Sequence, residues 1–483
     1  MNDKPSKFDN YINGEWLSSD SYTENISPSD LGDSLGFYAK ATLQDAALAI
    51  DAAEQSWAGW AECGLEQRKA VLDFIGAELI NRSAEIGRVL AREEGKTLAE
   101  GAGEVHRAGQ FFQYYGAETL RMMGEVAQST RPGIDVEVRR EPVGVIGVIT
   151  PWNFPVAVAA WKVAPALAFG NSVVLKPAEI TPASAWILTE IISRSGLPKG
   201  VFNLLMGSGR EVGEAITTSP KVNAVSFTGS VAVGRHIARN VIENMGKIQL
   251  EMGSKNALVV LDDADLDVAV QCAINGAFFG TGQKCTASSR LIVEAGVHDE
   301  FVALMSKEMA KLKVGNPLQE GMQIGSMASE QQFTQVLDYI AGAKADGAVL
   351  VAGGEALELQ TRGYYIAPTL FKDTNNSMRI NCEEVFGPVS CVIKARDYDE
   401  ALSIANDTEF GLTSGIITQS LARSAHFKKH SKSGCVMVNL PTAGTDYHVP
   451  FGGRKASSYG SREQGKYAAE FYTIVKTNYS KPY

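Results

Sequence analysis

Between positions 143 and 252 short apolar runs alternate with helical segments, and this rhythm restricts the chain to few folds. Positions 143–150, 172–175, 202–206, 223–227 and 248–252 read as strands, and 156–169, 182–195, 210–218 and 231–245 read as helices. Strands that are apolar on both faces and joined by helices make βαβ units around a parallel sheet covered on both sides. Ligands of such sheets bind beyond the carboxyl ends of the strands. The residues just after each strand are therefore the first place to look for function.

At 483 residues the chain is too long for one ordinary core, and two or three domains are expected. Before the sheet, Asn10 to Trp16 reads as a hairpin turning on Asn13-Gly14. Thr42 reads as an N-cap with Asp45 three residues on, opening a helical region that runs to about Met123. Positions 131–141 alternate Ile134, Val136 and Val138 with polar residues, as a strand with one buried face does. A second α/β region starts at Ala257 and runs to about Gly453.

Composition removes several classes of function. Net charge is 45 − 55 = −10, which argues against a nucleic-acid binder. Six cysteines without a CxxC pair, and six histidines without an HExxH cluster, suggest reduced thiols and no metal site. The start, Met1 to Lys7, lacks the apolar stretch of a targeting leader. The longest apolar run, 156–169, is interrupted by Lys162 and Pro165 and is too short to span a bilayer. A cytoplasmic protein with no membrane partner is expected.

The strand ends carry chemistry. The first gives Thr150, Pro151, Trp152 and Asn153; the second gives Lys176 and Glu179; the third gives Gly207 and Gly209; the fourth gives Gly229, Ser230 and, one turn on, Gly234. A glycine-bearing turn into a helix admits a phosphate, and Lys176 with Glu179 suits ribose hydroxyls. Gly207-x-Gly209-x-x-x-Gly213 has one residue too many for the usual dinucleotide fingerprint. The fifth strand ends in Glu251, where a carboxylate among apolar neighbours gains a raised pKa and suits a general base; an internal salt bridge is the alternative. Asn153 suits an oxyanion donor or a turn residue. In the second region Cys285 follows Gly280-Thr281-Gly282-Gln283-Lys284 in a loop between helix and strand. Such a thiol is either a nucleophile, with Lys284 favouring the thiolate, or a small buried hydrophobe. Thiol, amide, carboxylate and dinucleotide-type sheet together suggest thiol addition to an aldehyde, hydride transfer and hydrolysis of a thioester.

Seven stretches in order resemble the aldehyde dehydrogenase superfamily over nearly the whole chain. They are 150–155 (TPWNFP), 176–179 (KPAE), 227–230 (FTGS), 250–255 (LEMGSK), 282–285 (GQKC), 384–388 (EVFGP) and 450–453 (PFGG). The resemblance implies an α/β architecture. A Rossmann-type cofactor domain would be made of residues 1–123 and 144–252, and a catalytic domain of 253–453. A β oligomerisation arm would be made of 124–143 and 454–483, in a homodimer or homotetramer. It implies Cys285 as nucleophile, Glu251 as base for hydrolysis and Asn153 as oxyanion donor. Thr150, Pro151, Trp152, Lys176, Glu179, Gly209, Gly229, Ser230, Gly234, Glu384 and Phe386 would bind the cofactor, and Phe154, Trp161 and Phe451 would line the aldehyde tunnel. Glu179 favours NAD over NADP by repelling a 2′-phosphate, with NADP left possible. Ser254 and Ala257 depart from the glycine and proline that many members carry.

Within the family, positions 282–290 and 439–450 look like a bacterial branch acting on 2-oxoglutarate semialdehyde (2,5-dioxopentanoate). Succinate semialdehyde members typically carry arginines where this chain has Trp161 and Phe279, which leaves His448, Arg107 and Lys284 as candidates for a substrate carboxylate. Succinate semialdehyde, betaine aldehyde or a broad range of aldehydes are alternative substrates. An inactive structural member is the alternative of another class, and the presence of both Cys285 and Glu251 argues against it.

Overall fold

The expected hairpin forms in the computed structural model, which describes residues 6–482. Asn13 and Gly14 both take positive φ (52° and 82°), and Asn10–Ile12 pairs with Glu15–Leu17, as an Asn-Gly turn requires. Thr42 caps the helix Leu43–Glu62, and the Asp45 carboxylate accepts back from the Thr42 N–H at 2.8 Å. The reading of Met1 to Lys7 as lacking a leader falls mostly outside the described residues.

The hairpin forms one edge of an eight-stranded sheet. From the other edge the order is Ser458–Tyr459, Lys247–Glu251, Ala224–Thr228, Val145–Ile149, Ser172–Lys176, Phe202–Leu204, then the two hairpin strands. The five central strands are mutually parallel and the outer ones antiparallel. Their buried faces explain the apolar runs. Val173 and Leu175 pack on one side with Phe112 and Leu188, while Val174 packs on the other with Ala49 and Ile216.

The chain enters this sheet at Val145–Ile149, builds outward through the next two strands, then returns to add Ala224–Thr228 on the opposite side. The strand order therefore reverses between Ile149 and Thr228, and a crevice opens there beyond the strand ends. The helix expected at 210–218 begins with a wide turn in which the Gly213 N–H reaches the Ser208 carbonyl at 3.3 Å.

A second, seven-stranded sheet runs Val349–Ala352, Thr369–Thr374, Val389–Ala395, Ser288–Glu294, Asn256–Val260, Thr413–Ile417 and Cys435–Val438, parallel except at its first pair. Asp135–Pro142 pairs antiparallel with Thr473–Ser480 and with Glu125–Gln128 in a separate three-stranded sheet. Lys7–Phe8, Ser34–Ala39 and Tyr22–Ile26 make a further small sheet. Among the described residues no helix is long and apolar enough to cross a membrane.

Candidate active site

The loop carrying Cys285 is shaped by backbone that ordinary residues avoid. Gly280, Thr281 and Gly282 take φ of 64°, 52° and 66° in succession and turn the chain out of the helix Leu266–Phe278. At Gly282 a β-carbon would sit 2.1 Å from the Gly387 carbonyl oxygen, so only glycine fits. The Cys285 carbonyl accepts from the Ser254 hydroxyl and, at 2.8 Å, from the Asn256 side-chain amide. Ser254, which departs from the family's usual glycine, thus anchors the loop.

The half-buried Cys285 thiol is pushed up to about 12 by burial and by the nearby carboxyls of Glu384 and Glu251. Lys284, expected to favour the thiolate, does not outweigh burial and the two carboxyls. Lys284 adjoins Cys285 in sequence, but its ammonium is held at the Asn275 carbonyl at 2.9 Å, and burial pulls it down to about 8.

Glu251 ends the strand Lys247–Glu251 at 3% exposure. Burial pushes its carboxyl up to about 8, opposed by a 2.6 Å hydrogen bond from the Ser458 hydroxyl and reinforced by Glu463. Glu463 is itself paired with Lys162, both fully buried, and shares Ser226 with Gln249. Neither Ser458 nor the Lys162–Glu463 pair was legible in the sequence.

Asn153 is held from two sides. Its side-chain amide donates to the Gln283 carbonyl at 2.9 Å, which ties it to the cysteine loop and leaves its second N–H available. Its own carbonyl accepts from the Lys96 ammonium at 2.7 Å. Lys96 also donates to Glu104 at 2.6 Å, and Glu104 accepts from the N–H groups of Val156 and Ala157, where the next helix starts. This buried cluster was also missed.

Cys285, Glu251, Asn153, Pro151, Trp152, Gly229, Ser230, Glu384, Phe386, Phe154, Trp161 and Phe451 all line one cavity of about 580 Å³. It opens at the strand reversal. Trp161 and Phe451 form one wall, with ring centroids 5.6 Å apart. Trp152 meets Phe386 edge-on at 5.3 Å, and Phe386 takes a positive φ of 58°. The Ser230 hydroxyl caps the helix Val231–Glu243, accepting from the Val233 N–H. Glu384 accepts from the Ser254 N–H at 2.9 Å, and burial pushes its carboxyl up to about 7.

The other expected residues lie outside that lining, at neighbouring strand ends. The Thr150 N–H donates to the Lys176 carbonyl at 3.2 Å. The Lys176 ammonium donates to the Pro177 carbonyl, and burial lowers its pKa. The exposed Glu179 carboxylate accepts from the Gly209 N–H at 3.0 Å. Gly234 faces Met252, whose sulfur would stand 2.5 Å from an added β-carbon.

These features fit a dinucleotide. A helix N-terminus faces the crevice, which favours a phosphate. The Thr150 and Thr228 hydroxyls flanking the strand reversal are buried with no partner among the described residues, and Lys176 and Glu179 stand at the adjacent strand end.

Comparison with known proteins agrees with this geometry. The aldehyde dehydrogenase family model matches residues 16–478. The chain is 41% identical over 477 residues to the alpha-ketoglutaric semialdehyde dehydrogenase of Bacillus subtilis, covering 98% of both chains. It is 38% identical over 458 residues to the 2,5-dioxopentanoate dehydrogenase of Saccharolobus solfataricus, covering 94% of this chain and 95% of that one. Among solved structures, the betaine aldehyde dehydrogenase of Staphylococcus aureus in complex with NAD+ superposes with a TM-score of 0.96 at 33% identity, covering 99% of this chain and 95% of that one. A cysteine loop, a buried carboxyl and a side-chain amide meet at the strand reversal of a chain matched almost from end to end, and the chain belongs to the aldehyde dehydrogenase family.

Proposed function

We propose that the chain oxidises 2-oxoglutarate semialdehyde to 2-oxoglutarate, with NAD as cofactor and NADP as a possible second. The meeting of Cys285, Asn153 and Glu251 around one cavity carries the chemistry. The names of the Bacillus subtilis and Saccharolobus solfataricus relatives support the choice of aldehyde.

In this reading the Cys285 sulfur bonds to the aldehyde carbon and its proton passes through water to solvent, leaving Glu251 unprotonated. The oxyanion accepts from the free N–H of the Asn153 amide and from the Cys285 N–H. The chemistry that the nicotinamide supplies when bound is hydride acceptance. Loss of hydride leaves a thioester on Cys285. Glu251 then takes a proton from water, the hydroxide attacks, the C–S bond breaks, and carboxylate and thiol are released. Lys176 and Glu179 would hold the adenosine ribose, and Gly209, Gly229, Ser230 and Gly234 the pyrophosphate region. Thr150, Pro151, Trp152, Glu384 and Phe386 would enclose the nicotinamide half. Phe154, Trp161 and Phe451 would line the aldehyde path.

Betaine aldehyde is a second reading, favoured by the Trp161–Phe451 ring pair, since aromatic faces attract quaternary ammonium groups. Initial rates of reduced-cofactor formation decide between them, measured on 2-oxoglutarate semialdehyde, succinate semialdehyde, betaine aldehyde and an uncharged aldehyde, each with NAD and NADP. A clear kcat/KM preference for the first supports the proposal; equal or better turnover of betaine aldehyde overturns it.

We assign residues 1–123 and 144–252 to cofactor binding, 253–453 to catalysis, and 124–143 with 454–483 to an oligomerisation arm. Two separate sheets, each parallel at its centre, support the first division, with Ser458–Tyr459 joining the edge of the first. Exposed Val126, Val475 and Tyr479 on the antiparallel sheet support an arm in a homodimer or homotetramer. Six cysteines, all free, support a cytoplasmic setting.

A further inference from the structure

We propose that Glu100 is a positioning residue. It ties the Cys285 loop to the same helix that holds Asn153, so that one helix sets the distance between the attacking sulfur and the oxyanion donor. This inference rests on the roles given to Cys285 and Asn153 above.

The cysteine loop needs a hold from outside. Gly280, Thr281 and Gly282 run through the left-handed region in succession. Thr281 is β-branched and 1% exposed, and its hydroxyl has no partner among the described residues. Backbone of this kind persists only where surrounding groups fix it. The Glu100 carboxylate accepts from the Gly280 N–H at 2.6 Å across 180 residues, at the first position of the left-handed run. A hydrogen bond to a carboxylate is shorter and stronger than one to a neutral acceptor. Further along the loop, the Gln283 side-chain carbonyl accepts from the Ala328 N–H at 3.0 Å.

The same helix reaches Asn153. Glu100 and Glu104 stand four residues apart on Leu98–Glu118 and share one face. Glu104 accepts from Lys96 at 2.6 Å, and Lys96 donates to the Asn153 carbonyl at 2.7 Å. Asn153 follows the strand Val145–Ile149 of the first sheet, and Cys285 precedes the strand Ser288–Glu294 of the second. The two reacting groups come from different sheets, and two successive turns of one helix hold both. Their register matters, because a displacement of about 1 Å costs a reaction on the order of 10²-fold.

Glu100 uses different oxygens for its two contacts. Oε2 accepts from the Thr97 N–H at 3.0 Å and the Thr97 hydroxyl at 2.9 Å, closing the helix cap, while Oε1 takes Gly280. The two roles can therefore be separated. Asp45 closes the equivalent cap on Thr42, so Glu100→Asp keeps the cap while its shorter side chain withdraws from Gly280. Thr97→Ala weakens the cap and leaves Glu100 on Gly280.

The test is the single-turnover rate of reduced-cofactor formation, with NAD saturating and enzyme in excess over whichever aldehyde the panel above shows to be preferred. Glu100→Asp is expected to slow this step by about 10- to 100-fold, with KM for NAD and the denaturation midpoint close to wild type. Glu100→Gln, left with one acceptor oxygen for three donors, should be slowed as well. Thr97→Ala should lower the denaturation midpoint and leave the single-turnover rate within a few-fold. In an Asn153→Ala background, Glu100→Asp should cost only a few-fold more, because the register no longer has a donor to serve. An unchanged rate in Glu100→Asp, an equal fall in Thr97→Ala, or a full further loss on top of Asn153→Ala overturns the Glu100 assignment while the roles of Cys285 and Asn153 stand. If Asn153→Ala or Cys285→Ser alone leaves the rate unchanged, those roles fall and take the assignment with them.

Discussion

The Lys96 ammonium donates to the main-chain carbonyl of Asn153, 57 residues away, at 2.7 Å, and to the Glu104 carboxylate at 2.6 Å. Burial pulls Lys96 down, but Glu104 and Glu94 more than offset this and hold it above the ordinary lysine range. The ion therefore clamps the proposed oxyanion residue against the helix that forms the aldehyde wall. Lys96→Met leaves Glu104 buried without its cation, which costs about 3–5 kcal/mol when one partner of a buried pair is removed. We expect a large fall in the denaturation midpoint and a lower kcat. The double variant Lys96→Met/Glu104→Gln should regain part of the stability but not the rate. Denaturant unfolding with parallel kinetics checks both.

Glu251 gives a prediction in pH. Its carboxyl is held at about 8 by burial, against an ordinary value of 4.5. The base form appears as pH rises through about 8, so the hydrolytic step should accelerate across that range. Glu251→Gln should slow hydrolysis by about 10²- to 10⁴-fold, the usual contribution of a general base, and should leave a burst of reduced cofactor followed by a slow steady state. Stability runs the other way. The folded state keeps this proton where the unfolded chain has lost it. The contribution is full below about 4.5 and is lost as pH rises through about 8. A melting temperature followed from pH 5 to 9 should therefore fall less steeply in Glu251→Gln than in wild type.

The division between what the sequence revealed and what it hid has a physical cause. Central parallel strands are buried on both faces, so Val173, Val174 and Leu175 appear as a continuous apolar run and the sheet can be read directly. The strand ends then point to Asn153, Glu251, Gly229 and Ser230, which do meet at one cavity. The supporting network has no such local signature. Ser458 reaches Glu251 across 207 residues, and Lys162 reaches Glu463 across 301. A lysine within an apolar helix reads only as an interruption until its partner is seen. Lys284 shows the opposite error, in which proximity in sequence suggested a thiolate stabilisation that burial and two carboxyls outweigh.

Cys285 should be a reluctant nucleophile in the free enzyme. Its thiol is held at about 12 by burial, then by Glu384 and Glu251. Alkylation by iodoacetamide should therefore keep climbing with pH to at least about pH 10 rather than level off near the ordinary thiol range. Replacing either carboxylate by its amide should raise the rate at pH 9, Glu384→Gln more than Glu251→Gln. A plateau below pH 9 in wild type would show that some group in the site stabilises the thiolate. Mass spectrometry of the peptide containing Cys285 separates its reaction from that of the exposed Cys382.

Gly253 tests how the cysteine loop and the proposed cofactor site are joined. A β-carbon there would stand 2.6 Å from a Glu384 carboxylate oxygen. The same carboxylate accepts from the Ser254 N–H, while the Ser254 hydroxyl donates to the Cys285 carbonyl. Gly253→Ala must therefore displace Glu384 and leave the Ser254 N–H without its acceptor, a loss of about 1–3 kcal/mol if the group stays buried. Because one residue carries both contacts, the damage should reach two kinetic constants. KM for NAD should rise through Glu384, and kcat should fall through the slackened Cys285 loop. Ser254→Gly supplies the contrast, since it removes the hydroxyl and keeps the N–H on Glu384. It should lower kcat by a few-fold, with Asn256 still holding the Cys285 carbonyl, and leave KM for NAD unchanged. Equal KM values for wild type and Gly253→Ala would show that Glu384 does not contribute to cofactor affinity.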